Sequence, residues 1–189
     1  PQGARIGTSA PRRAAQMLHA RPDCTIVPFR GNVATRLAKL AAGEADATLL
    51  AAAGLERLGQ PHAGTPLPLE EWLPAPAQGA IGIECRADDA ATRAVLAKID
   101  HAPSRARVTA ERTLLLALGG NCHSPIAVRS AIEGEVIAMH AALFSPDGAQ
   151  RVDGEARFPA SDPGEAGALA ADLLRRAPPP IAEHFAGAA

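Results

Sequence analysis

Tyrosine is absent from this sequence, tryptophan occurs once, and aromatic residues make up only 3% of it. Proteins that grip single-stranded nucleic acids stack bases on several aromatic rings, so that class of partner is not expected. An excess of one charge is lacking too: 19 Lys and Arg stand against 20 Asp and Glu, a formal net charge of -1 at pH 7. No overall basic field draws such a chain to DNA, RNA or an anionic membrane, so an anionic partner must be held by local placement of charge. No apolar run approaches the roughly 20 residues of a helical membrane span. Cysteine is sparse, at Cys24, Cys85 and Cys122, with no CxxC pair and no Cys/His spacing suited to zinc. Free thiols in a reducing, cytoplasmic setting are expected, and the scattered histidines suggest no metal site. The chain opens on Pro1 and not Met, so its natural start is expected elsewhere and the lack of a secretory signal carries little weight.

What is present is a well-stocked interior. Hydrophobic residues are 47% of 189, enough for one medium domain or two small ones with packed cores. Arg5-Ile6-Gly7 reads as a strand end, followed by a helix from Pro11 to Ala20 with Thr8 and Ser9 as cap candidates. A strand at 25–29 leads through Gly31-Asn32, as turn and N-cap, into a helix from Val33 to Ala42, closed by Gly43. A third strand at 47–50 leads into Gly54–Gly59. This strand–helix repetition predicts a parallel, wound α/β unit. Residues 60–78 are rich in Pro and Gly and read as a linker. Ile81–Cys85 reads as a further strand, followed by a helix at about 89–99. A helix capped by Ser104 then runs to Leu118, and three strands follow near 125–132, 135–144 and 150–158. Ile137, Met139, Ala141 and Leu143 alternate, so one face of that sheet is buried. A helix at 163–176 covers it, completing a small α+β domain with a three-stranded antiparallel sheet.

The arginines fall in unusual places. Arg12 and Arg13 occupy the first turn of one helix and Arg36 lies one turn into another, where cations oppose the helix dipole by about 0.3–1 kcal/mol each. Arg30 stands at a strand end, and in open α/β sheets that edge is where ligands bind. A multiply anionic ligand turns the cost into a gain, since charge-assisted hydrogen bonds are worth roughly 1.5–3 kcal/mol each. Solvated surface pairing is the alternative for any single arginine, but surface pairs have no reason to gather at one edge. Arg57 either joins this rim or sits on a helix surface. Guanidinium groups take carboxylates and phosphates alike, and residue type leaves both open.

Leu118–Ile126 joins a helix end to a strand through Gly119-Gly120 and puts Cys122 on a polar turn beside His123, which can favour a thiolate. Composition leaves a functional and a bystander Cys122 both open, with His123 read as a bystander. Cys24 and Cys85 read as small buried hydrophobes.

Five stretches together resemble the porphobilinogen deaminase family: Gly7–Arg13, Phe29–Leu37, Ala51–Gly59, Gln78–Arg86, and the Cys122 loop with Ala110-Glu111-Arg112 shortly before it. Their order and spacing match nearly the whole chain, though only the later part of the family's length. The resemblance implies an enzyme that joins four porphobilinogen molecules into hydroxymethylbilane, releasing ammonia, on the way to haem and other tetrapyrroles. It implies a dipyrromethane cofactor on a thioether at Cys122, and carboxylate binding by Arg12, Arg13, Arg30, Arg36 and Arg57, with Thr8, Ser9 and Gly54 in the same site. In family terms residues 1–76 resemble the second domain, in the manner of half a periplasmic binding protein. Residues 77–98 resemble the returning strand and helix of a mostly missing first domain, and residues 99–189 the C-terminal domain. The family's proton-handling aspartate has no match here, so the chain alone is expected to be inactive, and the intact protein a cytoplasmic monomer. Ala10, Pro11, Ala77 and Asn121 stand where the family commonly has serine, leucine, glycine and glycine. The rival reading is a non-catalytic anion-binding module of solute-binding-protein type, which accounts for the rim but not for the Cys122 loop.

Overall fold

The computed structural model describes residues 1–185. Its N-terminal unit is a parallel sheet of three short strands, β1 (Arg5–Gly7), β2 (Thr25–Val27) and β3 (Ala47–Thr48), in the order β2-β1-β3. Ile6 lies opposite Ile26 on one side and Ala47 on the other. After each strand comes a helix: α1 (Pro11–Ala20), α2 (Val33–Ala41) and α3 (Ala52–Arg57). The strands β2 and β3 are shorter than the apolar runs that predict them. Phe29 shows why the first chain reversal is tight: it is fully buried, and a Cβ on Gly7 would sit 2.5 Å from its ring. Asn32 caps α2 by accepting from the Thr35 amide at 2.9 Å. At α1 the expected side-chain cap is not made. Ala10 holds that position, the Thr8 hydroxyl accepts from the Ala10 amide, and Ser9 donates to the Phe29 carbonyl.

The C-terminal unit is an antiparallel meander of β4 (Ile126–Glu133), β5 (Val136–Phe144) and β6 (Arg151–Pro159). Ile137, Met139, Ala141 and Leu143 are buried as their alternation predicts, under α5 (Ala102–Ala117) and α6 (Ala166–Arg176). A single 3-10 turn at Pro163–Glu165 precedes α6, and a short α7 (Pro179–Ala182) follows the proline break. His101, not Ser104, caps α5: its Nδ1 accepts from the Ser104 amide, which lies inside the helix. The opposite sheet face is also buried at one end, where Ala127, Ala142 and Phe144 pack against Ala15 of α1 and Leu73. The Val128 amide donates to the Pro74 carbonyl at 2.9 Å, so this part of the expected linker is a fixed strap between the two units. Gly148 closes the joint: its φ is +71, and a Cβ there would lie 2.5 Å from the His19 nitrogen.

Residues 79–99 depart from expectation. Ile81–Cys85 forms no strand, Ile81 is 80% exposed, and Cys85 is exposed where a buried thiol was expected. A strand needs a hydrogen-bonding neighbour for its backbone, and neither sheet of the described residues supplies one. Helix α4 (Ala90–Leu96), capped by Asp89, follows with its apolar Val95 also in solvent. Among the described residues no helix is long and apolar enough to cross a membrane.

Candidate anion-binding site

Because β1, β2 and β3 run parallel, the helices that follow them all start from one edge of the sheet. The arginine-bearing turns are therefore neighbours by topology. Arg12 is buried, donating Nη1 to the Leu73 carbonyl at 2.6 Å and Nη2 to Gln78 Oε1 at 3.3 Å. Burial, and then the charge of Arg13, bring its pKa down to about 10. Arg13 donates to the Leu49 carbonyl at 2.8 Å, and its pKa is likewise lowered, first by burial and then by Arg36. Arg36 donates Nε to the Gly31 carbonyl at 3.0 Å. Arg13 thus stands within electrostatic reach of Arg12 on one side and Arg36 on the other.

A cavity of about 330 Å³ opens beside them, lined by Arg12, Arg13, Thr48, Leu49, Trp72 and Gln78 among others. Arg30, Arg36 and Arg57 do not line it. Arg30 is exposed beyond β2, and Arg57 is exposed at the far end of α3, one short helix from the edge. Thr8 is buried with its hydroxyl turned to the backbone, Ser9 likewise spends its hydroxyl on Phe29, and Gly54 admits Val33 close against α3.

Most arginines elsewhere are paired, Arg93, Arg107 and Arg112 being the unpaired ones outside the sheet edge among the described residues. Arg5, Arg21, Arg105, Arg129, Arg151, Arg157 and Arg176 each meet a carboxylate within 4 Å. Among the described residues, Arg12, Arg13, Arg30, Arg36 and Arg57 meet none. Glu56 also lines the cavity but pairs with none of them, so these cations keep their charge, and a planar fork of donors is suited to carboxylate or phosphate.

Cys122 lies exposed with a free thiol between α5 and β4. Its loop is stapled by Asn121, whose Oδ1 accepts from the His123 amide at 2.8 Å, and by Ser124, whose hydroxyl accepts from the Asn121 amide at 3.0 Å. These bonds hold the turn and leave the sulfur outward. Five residues on, Ala127 packs in one cluster with Leu73, the residue whose carbonyl holds Arg12. The strap is fixed from the other side by buried Glu111, which accepts from the Ala77 amide at 2.6 Å and from the Ser130 hydroxyl at 2.5 Å. Ala77 has φ +57, the left-handed region that favours glycine. The sequence does not single out Gln16 or Leu73, and it marks Gln78 as the start of a family stretch without giving it a role in the site. The i, i+4 placement of Gln16 behind Arg12 was the one signal available, while the contacts to the strap join distant parts of the chain.

Comparison with known proteins gives a consistent answer. Residues 1–94 match the family model described as "Porphobilinogen deaminase, dipyromethane cofactor binding domain", and residues 105–176 match "Porphobilinogen deaminase, C-terminal domain". The porphobilinogen deaminase of Sphingopyxis alaskensis is 58% identical over 187 residues, covering 98% of this chain and 59% of the relative. That of Paracoccus denitrificans is 48% identical over 180 residues, covering 94% of this chain and 58% of the relative. The chain therefore spans less than two thirds of the length of these curated relatives. Neither family model is that of a solute-binding module.

Proposed function

The chain belongs to the porphobilinogen deaminase family, and on that premise we propose that it is the part of such an enzyme that grips the carboxylates of porphobilinogen and of the growing oligopyrrole. The observation that carries this reading is the set of arginines left without acids at one sheet edge. Each pyrrole unit brings an acetate and a propionate, so an oligomer supplies the counter-charges in a row. Arg12, Arg13 and Arg36 hold the inner carboxylates, and Arg30 and Arg57 extend the track. Thr8, Ser9 and Gly54 shape the turns that aim them. Fixed in advance, these groups bind anions without reorganising.

The residues present also fit a dipyrromethane cofactor. Cys122 offers a free, outward sulfur suited to a thioether, on a turn whose polar groups are already satisfied. When bound, the group supplies the pyrrole end from which the product is extended. Cys122 anchors it, and the arginines orient its carboxylates. No carboxylate of this chain is assigned the handling of protons at pyrrole nitrogen. Residues 1–76 are proposed as the second domain, half of a periplasmic-binding-protein kind, residues 77–98 as the strand and helix that complete a first domain, and residues 99–189 as the C-terminal domain. The bare Ile81 and Ile83 support that division, because they are a strand's apolar face without a sheet. By this reading the complete enzyme is a cytoplasmic, monomeric transferase making hydroxymethylbilane, and this chain alone is inactive.

The test is Cys122→Ser in the complete enzyme, this chain together with the N-terminal portion its relatives carry. Intact mass should show no attached dipyrromethane, with the colour reaction for dipyrromethanes negative. Normal cofactor loading on that variant overturns the assignment.

A further inference from the structure

Arg12 is a buried cation with no acid against it. Its residue is 8% exposed, and the two acceptors it meets, the Leu73 carbonyl and Gln78 Oε1, are both neutral. The Leu73 peptide is itself clamped at both ends by one side chain. Gln16, 5% exposed and one turn beyond Arg12 on α1, donates Nε2 to the Leu73 carbonyl at 3.0 Å and accepts the Leu73 amide on Oε1 at 3.1 Å. Gln78 is tied in the same manner, since its Oε1 also accepts from the Ala75 amide at 3.0 Å.

We propose that Gln16 and Gln78 are positioning residues that fix the Arg12 guanidinium without discharging it, so that its remaining N–H groups and its whole charge are kept for a ligand carboxylate in the adjoining cavity. A guanidinium carries five N–H donors in a fixed fork, and these contacts occupy two of them. An amide oxygen satisfies a donor but leaves the Coulomb field of the cation standing. A carboxylate in the same place would hold the side chain equally well and cancel that field, the more strongly because the site is partly desiccated. Burial without a counter-charge is ordinarily destabilising, and the lowered pKa of Arg12 reflects it. Glutamine is thus the residue that suits an arginine awaiting an anion. The inference rests on the anion-binding reading of Arg12 and deepens it.

The experiment titrates the 189-residue chain with benzene-1,3,5-tricarboxylate, a non-reacting anionic probe, and records thermal melting beside each dissociation constant. Gln78→Glu should melt at or above the wild-type temperature yet bind the probe at least tenfold more weakly. A purely structural glutamine would not separate those two readouts. Gln78→Met, which removes the acceptor without adding charge, should weaken binding several-fold in the wild-type background and not at all in an Arg12→Met background. Gln16→Met should behave as Gln78→Met does. Probe affinity of Gln78→Glu within twofold of wild type, or an equal Gln78→Met effect in both backgrounds, overturns the clamp alone. An unchanged affinity in Arg12→Met, or no binding by the wild-type chain, removes the anion-binding reading and the clamp with it.

Discussion

The antiparallel sheet and the edge of the parallel sheet from which its helices start treat arginine in opposite ways, although Arg5, at the other end of β1, is paired with Asp46. On the antiparallel sheet Arg129 meets Glu70, Arg151 meets Asp153 and Arg157 meets Glu133, each side chain partly or largely in water. At the edge of the parallel sheet Arg12 and Arg13 withdraw from water and take only neutral acceptors. The same residue type is neutralised on the antiparallel sheet and left unneutralised at the edge proposed to bind an anion. What marks the site is the company the arginines keep, because their number differs little between the two regions.

Leu73 joins the regions, and removing its side chain should have the largest effect on stability. It is 2% exposed and packs between Ala15 and the pair Ala127 and Phe144. Leu73→Ala should lower unfolding free energy by about 2–5 kcal/mol, the range for large-to-small changes in a packed core. Denaturant titration measures this directly. Because the Leu73 carbonyl also holds Arg12, anion affinity should fall with it, whereas a comparably buried change at Leu173 should reduce stability and spare affinity.

Arg36→Gln sharpens the contrast at a smaller scale. Arg36 lies early in α2 with no acid in the first turn, and its charge acts against Arg13. Its removal should raise unfolding free energy by up to about 1 kcal/mol, as expected for taking a cation from a helix start. Affinity for a polycarboxylate should drop by about tenfold, within the range for a charge-assisted bond. Opposite signs in melting and titration would mark the arginine as held for a ligand. A fall in both would mean that it serves the fold.

Much of this plan was legible in the residues. The Pro11–Ala20 helix, the Asn32 cap and the alternation along β5 are local patterns, and local physics set them. That the turns bearing Arg12, Arg13 and Arg36 start from one sheet edge followed from parallel strands, which the strand–helix order implies, while Arg57 lies a helix away. The partners of those arginines were not legible, because Gln16 and Gln78 act through contacts spanning most of the N-terminal unit. Ile81–Cys85 carries a strand's pattern, and pattern specifies what a segment would bury without naming its neighbour. Hence Cys85 was misplaced by the same reasoning that placed Cys24 correctly in the core. The α5 cap was misread for a simpler reason: an imidazole nitrogen at His101 did the work expected of the Ser104 hydroxyl.

Ala77 is where sequence and backbone disagree most plainly. Its φ of +57 is held by the hydrogen bond that the Ala77 amide donates to Glu111 Oε2 at 2.6 Å. A left-handed residue with a Cβ costs roughly 1–2 kcal/mol, part of which glycine returns as greater freedom when unfolded. Ala77→Gly should therefore stabilise the strap by about 0.5–1 kcal/mol, readable as a raised denaturation midpoint with an unchanged slope.

The smallest effect is expected at Arg157, the counterpart of Arg36 on the other sheet. Arg157 and Glu133 pair at 2.5 Å across the sheet surface, with both side chains more than half in water. The bond raises the pKa of Arg157 and lowers that of Glu133. For an exposed pair those shifts overstate the gain, since water solvates either charge well when its partner is gone. The sign for Glu133 follows from its depressed pKa: any contribution exists above its unfolded pKa and is lost as pH falls through the folded one. Arg157→Gln should leave melting at neutral pH unchanged within error, and leave polycarboxylate affinity unchanged as well. A loss of affinity there would extend the anion track onto the antiparallel sheet and erase the distinction between paired and waiting cations.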